Sequence, residues 1–98
     1  MTIEWTLSAS KDLKDVFEFY RKTVNRKVAQ KIKNEILFTT NNLKLGTGIG
    51  QIEQRFKDLN QGHRYLLSNH CKILYFLKND TIYITHVFDT RQNPEDLK

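Results

Sequence analysis

At 98 residues, with 39% hydrophobic side chains and a single proline, the chain has the size of one compact domain over residues 1–98 with one modest core. No apolar run approaches the ~20 residues that cross a bilayer, and Met1-Thr2-Ile3-Glu4-Trp5 lacks the basic and then apolar stretches of a secretory signal, so a cytoplasmic protein with no membrane partner is expected. The net charge of +5 is concentrated: residues 11–33 hold eight basic and three acidic residues, and the remainder balances at eight and eight. Such a segment either attracts an acidic protein or a polyanion, or is simply a solvated helix face.

In chain order, Ile3, Trp5 and Leu7 alternate with polar neighbours and predict a short first strand. Ser8 or Ser10 is then placed to cap a helix, with Asp12 and Asp15 near its positive end. Leu13, Val16, Phe17, Tyr20 and Val24 recur at helical spacing and predict one core-facing stripe. Asn25 breaks that pattern, and Val28, Ala29, Ile32 and Ile36 resume it over about Arg26 to Asn41, giving an antiparallel two-helix hairpin. Lys44 to Gly50 holds three of the four glycines and reads as loop. It is no phosphate loop, because Gly50 leads into Gln51-Ile52 instead of Lys-Ser/Thr. Residues 51–62 suggest one helical turn around Ile52 and Phe56, then a turn at Asn60-Gln61-Gly62.

From Arg64 onward the period of two returns. Asn79-Asp80 suits a two-residue hairpin turn between runs 72–78 and 81–88, and Ser68-Asn69-His70 joins the preceding strand. The expected class is α+β: an N-terminal strand, the helical hairpin, then a three-stranded antiparallel meander, with the helices on one face and strand 1 at an edge or beside the first meander strand.

Few residues offer chemistry. Cys71 is alone and falls in an apolar strand, so an internal disulfide or a cysteine-based metal site is excluded, and the dispersed His63, His70 and His86 have no ligand spacing; no metal and no cofactor are expected. No nucleophile has an evident base beside it. Metal-free RNA cleavage needs groups that take a proton from the 2′-hydroxyl, stabilise the phosphorane and protonate the leaving oxygen, and His63, Arg64, His70, Lys72, His86 and Arg91 supply those types. Each has a plainer reading: Arg64 and Lys72 as ordinary sheet-surface residues, His86 as a hydrogen-bonded core histidine, Arg91 as a salt-bridge partner of Asp89 or of a helix carboxylate. Tyr65, Tyr75 and Tyr83 could stack on bases or pack in the core beneath the helices.

Trp5 and Ser8 before a helix with Asp12-Leu13, then His63-Arg64-Tyr65-Leu66-Leu67, Cys71-Lys72-Ile73-Leu74-Tyr75 and the run Ile82 to Pro94, in this order and over nearly the whole length, resemble the RelE/ParE toxin superfamily. The resemblance implies a bacterial type II toxin with a cognate, acidic or partly disordered antitoxin, for which Arg21, Lys22, Arg26 and Lys27 at the hairpin tip are the expected contacts. It offers two activities. The ribosome-dependent, mRNA-cleaving RelE branch is matched at Lys72, where that branch usually has arginine, and at Arg91, with His63 and His86 completing a catalytic set. That branch also places lysines on the strand holding His63 to Leu67 and a tyrosine or histidine in the tail. Here the tail, Gln92 to Lys98, has neither and adds Glu95 and Asp96. The ParE-like branch, which poisons DNA gyrase, accommodates such a tail, with Arg91, Arg64 and Lys72 as target contacts. A member without toxicity that still binds antitoxin is the third reading. The oligomeric state does not follow from the residues.

Overall fold

Asn79 and Asp80 turn the chain with φ of 51° and 63°, the doubly left-handed backbone of the tight hairpin turns that match strand twist, and this fixes the longest pairing of the sheet. The computed structural model describes residues 2–45, 51–52 and 63–91. Their elements are β1 (Thr2–Trp5), α1 (Leu7–Thr23), α2 (Arg26–Asn41), a 3-10 turn (Asn42–Leu45), β2 (Gln51–Ile52), β3 (Arg64–Ser68), β4 (Cys71–Lys78) and β5 (Thr81–Asp89). The sheet order is β1-β5-β4-β3-β2, with β1 parallel to β5 and every other pair antiparallel. The α+β order and the meander are as expected, and β1 takes the edge position. Residues 51–52 correct one expectation: they form a strand paired to Tyr65 and Arg64, not a helical turn. The glycine-rich stretch 46–50, Phe56, the turn at 60–62 and the tail from residue 92 lie outside the described residues.

The entry to α1 comes earlier than the serines suggest. Thr6 is the N-cap: its Oγ1 accepts from the Ala9 N–H at 3.1 Å and donates to the Ile84 carbonyl at 3.0 Å, so one hydroxyl caps the helix and ties it to β5. Leu7 is therefore the first helical residue and is 92% exposed, rather than the last inward residue of a strand. At the far end Val24 is the C-cap and lies exposed, outside the stripe its spacing assigned it to. Asn25 breaks the helix as expected and caps the next one, accepting from Val28 N–H at 2.8 Å.

Val16, Tyr20, Ala29 and Ile36 from the hairpin close over Ile73, Tyr75, Ile82, Ile84 and Val87 of the sheet. The inward residues of β5 change phase at a β-bulge: Tyr75 pairs with Ile84 but Leu74 with His86, so Thr85 is an extra residue. That insertion keeps Val87 and Asp89 on the helix-covered face along with Ile84. Asp12 does not serve the helix terminus. Its carboxylate accepts from the Val87 N–H at 3.1 Å, on the stretch of β5 that extends past the end of β1.

Candidate functional site

Asp89 ends β5 on the helix-covered face and is 2% exposed, a charge that persists in such a place only with partners. Tyr20, from the last turns of α1, donates its hydroxyl to Oδ2. The Arg91 backbone N–H donates to Oδ1 at 2.8 Å, the Arg91 Nε lies 3.5 Å from the same oxygen, and Nη2 donates to the Tyr20 hydroxyl at 2.6 Å. Burial alone would push the Asp89 carboxyl up, but the donors of Tyr20 and Arg91 outweigh it and hold the group below its usual range. Burial, with the Asp89 hydrogen bond, raises the Tyr20 phenol. Cys71, opposite Asp89 on β4, is 1% exposed and its thiol is pushed up to about 11 by burial, which makes it a core group and not a nucleophile.

Arg91 thus takes up its salt-bridge reading. It closes a salt bridge to Asp89, and 56% of its side chain still faces solvent. It also lines a cavity of about 320 Å³ with Tyr20, Lys31, Glu35 and His70. The β3–β4 turn closes one side of this region: Asn69 donates its amide to Glu35 of α2, and Thr90 is bonded through N–H and hydroxyl to the His70 carbonyl at 2.8 and 3.0 Å. Next to it, sharing Lys31, Glu35 and Asn69, a larger trough of about 1080 Å³ runs along α2.

The other residues singled out from the sequence do not gather around Arg91. Register places Lys72, Leu74 and Phe76 on the sheet face away from the helices, opposite in sense to Ile73 and Tyr75. There the Lys72 ammonium sits 4.1 Å from the centroid of the Tyr65 ring, and His63, buried, packs 5.0 Å from Phe76, which stacks on Tyr83. Tyr75 is buried under the helices as expected, whereas Tyr65 and Tyr83 are half-buried on the other face. His86 is not a core histidine: its side chain is 43% exposed and its Nδ1 lies 3.3 Å from Asp12. Arg64 shares the face of Leu66 and Ser68 by alternation, so it and Lys72 point to opposite sides of the sheet. Arg21, Lys22, Arg26 and Lys27 are all exposed at the hairpin tip, with Arg21 paired to Glu18 at 2.7 Å.

The residues 11–33 stretch accordingly carries most of its charge outward, and the Tyr20–Asp89–Arg91 cluster lies at the opposite end of β5 from the Asn79-Asp80 turn. Asp89 is legible in the sequence as an Arg91 partner. Tyr20 reads there only as a stripe residue, and nothing in the pattern points to Phe38, which is 68% exposed over the trough. The first could have been suspected from a tyrosine at the polar end of an apolar stripe; the second has no sequence signal beyond lying outside the stripe.

Comparison with known proteins gives three findings. No curated protein matches the sequence. Among solved structures, a chain described as the chromosomal ParDE TA system from P. aeruginosa superposes with a TM-score of 0.78 at 20% identity, covering 91% of this chain and 95% of that one, a likeness of fold. The family model that describes the ParE toxin of the type II toxin–antitoxin system parDE matches residues 3–94. With its first strand, basic helical hairpin and four following strands, and an arginine tied to the end of the last of them, the chain belongs to the ParE toxin family of type II toxin–antitoxin systems.

Proposed function

We propose that this ParE-family chain acts in the cytoplasm by binding and inhibiting DNA gyrase, and that a cognate antitoxin neutralises it. The observation that supports binding over RNA cleavage is the scatter of the candidate acid–base set. General acid–base catalysis needs its groups within hydrogen-bond reach of one scissile phosphate. Lys72 and His63 stand on the face away from the helices, His86 is drawn to Asp12 at the β5 edge, and Arg91 is folded against Tyr20 and Asp89 on the helix side. Arg91 is the leading target contact, because its guanidinium is oriented by a buried carboxylate yet more than half exposed. Lys72 and Arg64, which serve different faces, are secondary candidates. Antitoxin recognition is assigned to the hairpin tip, where Arg21, Lys22, Arg26 and Lys27 would steer an acidic partner.

The test is a paired assay on purified, antitoxin-free protein: supercoiling by DNA gyrase, and mRNA integrity on programmed ribosomes. Inhibited supercoiling with intact mRNA supports the proposal. Codon-linked cuts with normal supercoiling would replace it with the RelE-type endoribonuclease reading, and no effect in either assay, from protein that binds antitoxin when it is added back, would leave an antitoxin-binding member without toxicity.

A further inference from the structure

Tyr20 touches both other members of the buried cluster through a single atom. Its hydroxyl donates to Asp89 Oδ2 and accepts from Arg91 Nη2 at 2.6 Å. The backbone before the arginine side chain is held as well: the residue 91 N–H donates to Asp89 Oδ1 at 2.8 Å, and Thr90 donates through its N–H and its hydroxyl to the His70 carbonyl at 2.8 and 3.0 Å. With the Cα fixed, only the side-chain torsions of Arg91 are left to choose, and a long side chain has many rotamers whose loss on binding weakens an interface. The contacts with Asp89 and Tyr20 make that choice in advance.

The edge they use decides what the guanidinium can hold. Five N–H groups lie in one plane: Nε–H and one Nη2–H make the side edge, and the other Nη2–H with Nη1–H makes the end. Nε lies 3.5 Å from Asp89 Oδ1 and Nη2 donates to Tyr20, so these two contacts take up the side edge. The end edge keeps two parallel donors on a side chain that is 56% exposed. Such a pair matches two oxygens of one carboxylate or one phosphate. Local charge favours the first. Arg91 and Lys31 are offset by Asp89 and by Glu35, which lines the same cavity, so the formal charges of these groups cancel and give a polyanion little to gain. A single carboxylate gains from the direction of the two bonds instead.

We propose that Tyr20 is a positioning residue for Arg91: its hydroxyl holds the guanidinium by the side edge, so that the end edge is presented, already oriented, to one carboxylate of the target protein. The inference rests on the gyrase-binding reading above and adds to it the residue that aims the contact and the chemistry of the group contacted. Tyr20, 8% exposed, acts through the arginine. Removing its hydroxyl leaves Asp89 with the N–H and Nε of residue 91, so the cluster persists while the guanidinium is released to swing.

The test is Tyr20→Phe, made alone and together with Arg91→Ala, with binding to immobilised DNA gyrase measured for both variants, for Arg91→Ala alone and for wild type. Tyr20→Phe should weaken binding about tenfold by itself and change nothing further in the Arg91→Ala background, because the hydroxyl has nothing to aim once the guanidinium is gone. Thermal melts should show Tyr20→Phe folded. Undiminished binding by Tyr20→Phe, or equal weakening in both backgrounds, overturns the proposal. A second readout needs no gyrase: NMR of the side-chain N–H groups in isotope-labelled protein, titrated with acetate and with dimethyl phosphate. Acetate should move the Arg91 signals more in wild type than in Tyr20→Phe, and more than dimethyl phosphate does. Equal responses of the two proteins to acetate remove the positioning role, and a stronger response to dimethyl phosphate overturns the assignment of a carboxylate. A wild-type protein that does not bind gyrase removes the gyrase reading, and the acetate titration then decides the role of Tyr20 by itself.

Discussion

The two halves of β5 are held by different means. From Thr81 to Ile84 the strand is paired to β1 residue by residue, Thr2 with Thr81 through Trp5 with Ile84. Past Ile84, β1 has ended and the chain has become α1, and side chains of that region take over: Thr6 bonds the Ile84 carbonyl, Asp12 the Val87 N–H, and Tyr20 the Asp89 carboxylate. A ladder is a repeating backbone contact that tolerates most side chains; Thr6 still adds its backbone N–H to the Ile84 carbonyl at 3.1 Å, whereas the Asp12 and Tyr20 contacts each depend on one side-chain atom. The ladder half is ordinary scaffold; the side-chain half carries Arg91.

Substitution at the side-chain half should therefore be disproportionately costly. Asp89→Ala has the largest expected effect, about 3 kcal/mol, because it leaves the buried Tyr20 hydroxyl without its acceptor and removes the bond that turns Arg91 back. For a domain of this length each 1 kcal/mol moves Tm by about 4–8 °C, so a thermal melt resolves it readily. A loss below about 1 kcal/mol would mean that the end of β5 is held by packing alone. Asp12→Ala comes next at about 1–3 kcal/mol, the cost of an unpaired edge N–H. Hydrogen exchange gives it a local signature: the Val87 amide should lose protection while ladder amides at 82–84 keep theirs. Equal loss at both would erase the distinction between the halves.

The same contrast has a pH dependence. Asp89 titrates below its ordinary value in the folded protein, so its stabilising contribution is present above about 4 and is lost as pH falls through the lower folded-state value. Tyr20 is displaced upward, so stability should also decline as pH rises past its ordinary value of 10.0, where the unfolded chain ionises first. Urea titrations at pH 7 and pH 3 should show an acid loss in the wild type that Asp89→Asn reduces. An undiminished loss in that variant would assign the acid sensitivity to other carboxylates.

How far the sequence could be read follows from these two modes of contact. Periodicity found the helices, the Asn25 break and the Asn79-Asp80 hairpin, because each is a local pattern with a local cause. It misplaced the start of α1, since Thr6 was a cap only if its other bond, to a carbonyl 78 residues away, was known. Two-residue alternation alone could not place His86, because the bulge at Thr85 shifts the phase within β5. The strand at 51–52 was invisible: two residues carry no period, and only pairing to β3 makes them a strand. The candidate site suffered most. Lys72, His63, His86 and Arg91 were grouped by chemical type, and type says nothing about which face of a sheet a residue occupies.

Arg91 gives the smallest expected change in stability and the sharpest division between scaffold and function. Its guanidinium is more than half exposed, and an ion pair in such a position contributes about 0–1 kcal/mol. Asp89 also keeps two donors when the guanidinium is cut away, the Tyr20 hydroxyl and the backbone N–H of residue 91, both of which survive Arg91→Ala. The substitution should therefore shift Tm by only a few degrees and leave antitoxin affinity near wild type. If Arg91 touches the target, toxicity and gyrase inhibition should disappear in the same variant. Arg91→Lys separates charge from shape: lysine keeps the positive charge but lacks the planar fork that reaches Asp89 and Tyr20 together, so recovery of toxicity with lysine would show that the target reads charge alone. A large fall in Tm for Arg91→Ala would reverse the assignment, making the arginine a structural member of the buried cluster and leaving the target contact to be sought elsewhere on the molecule.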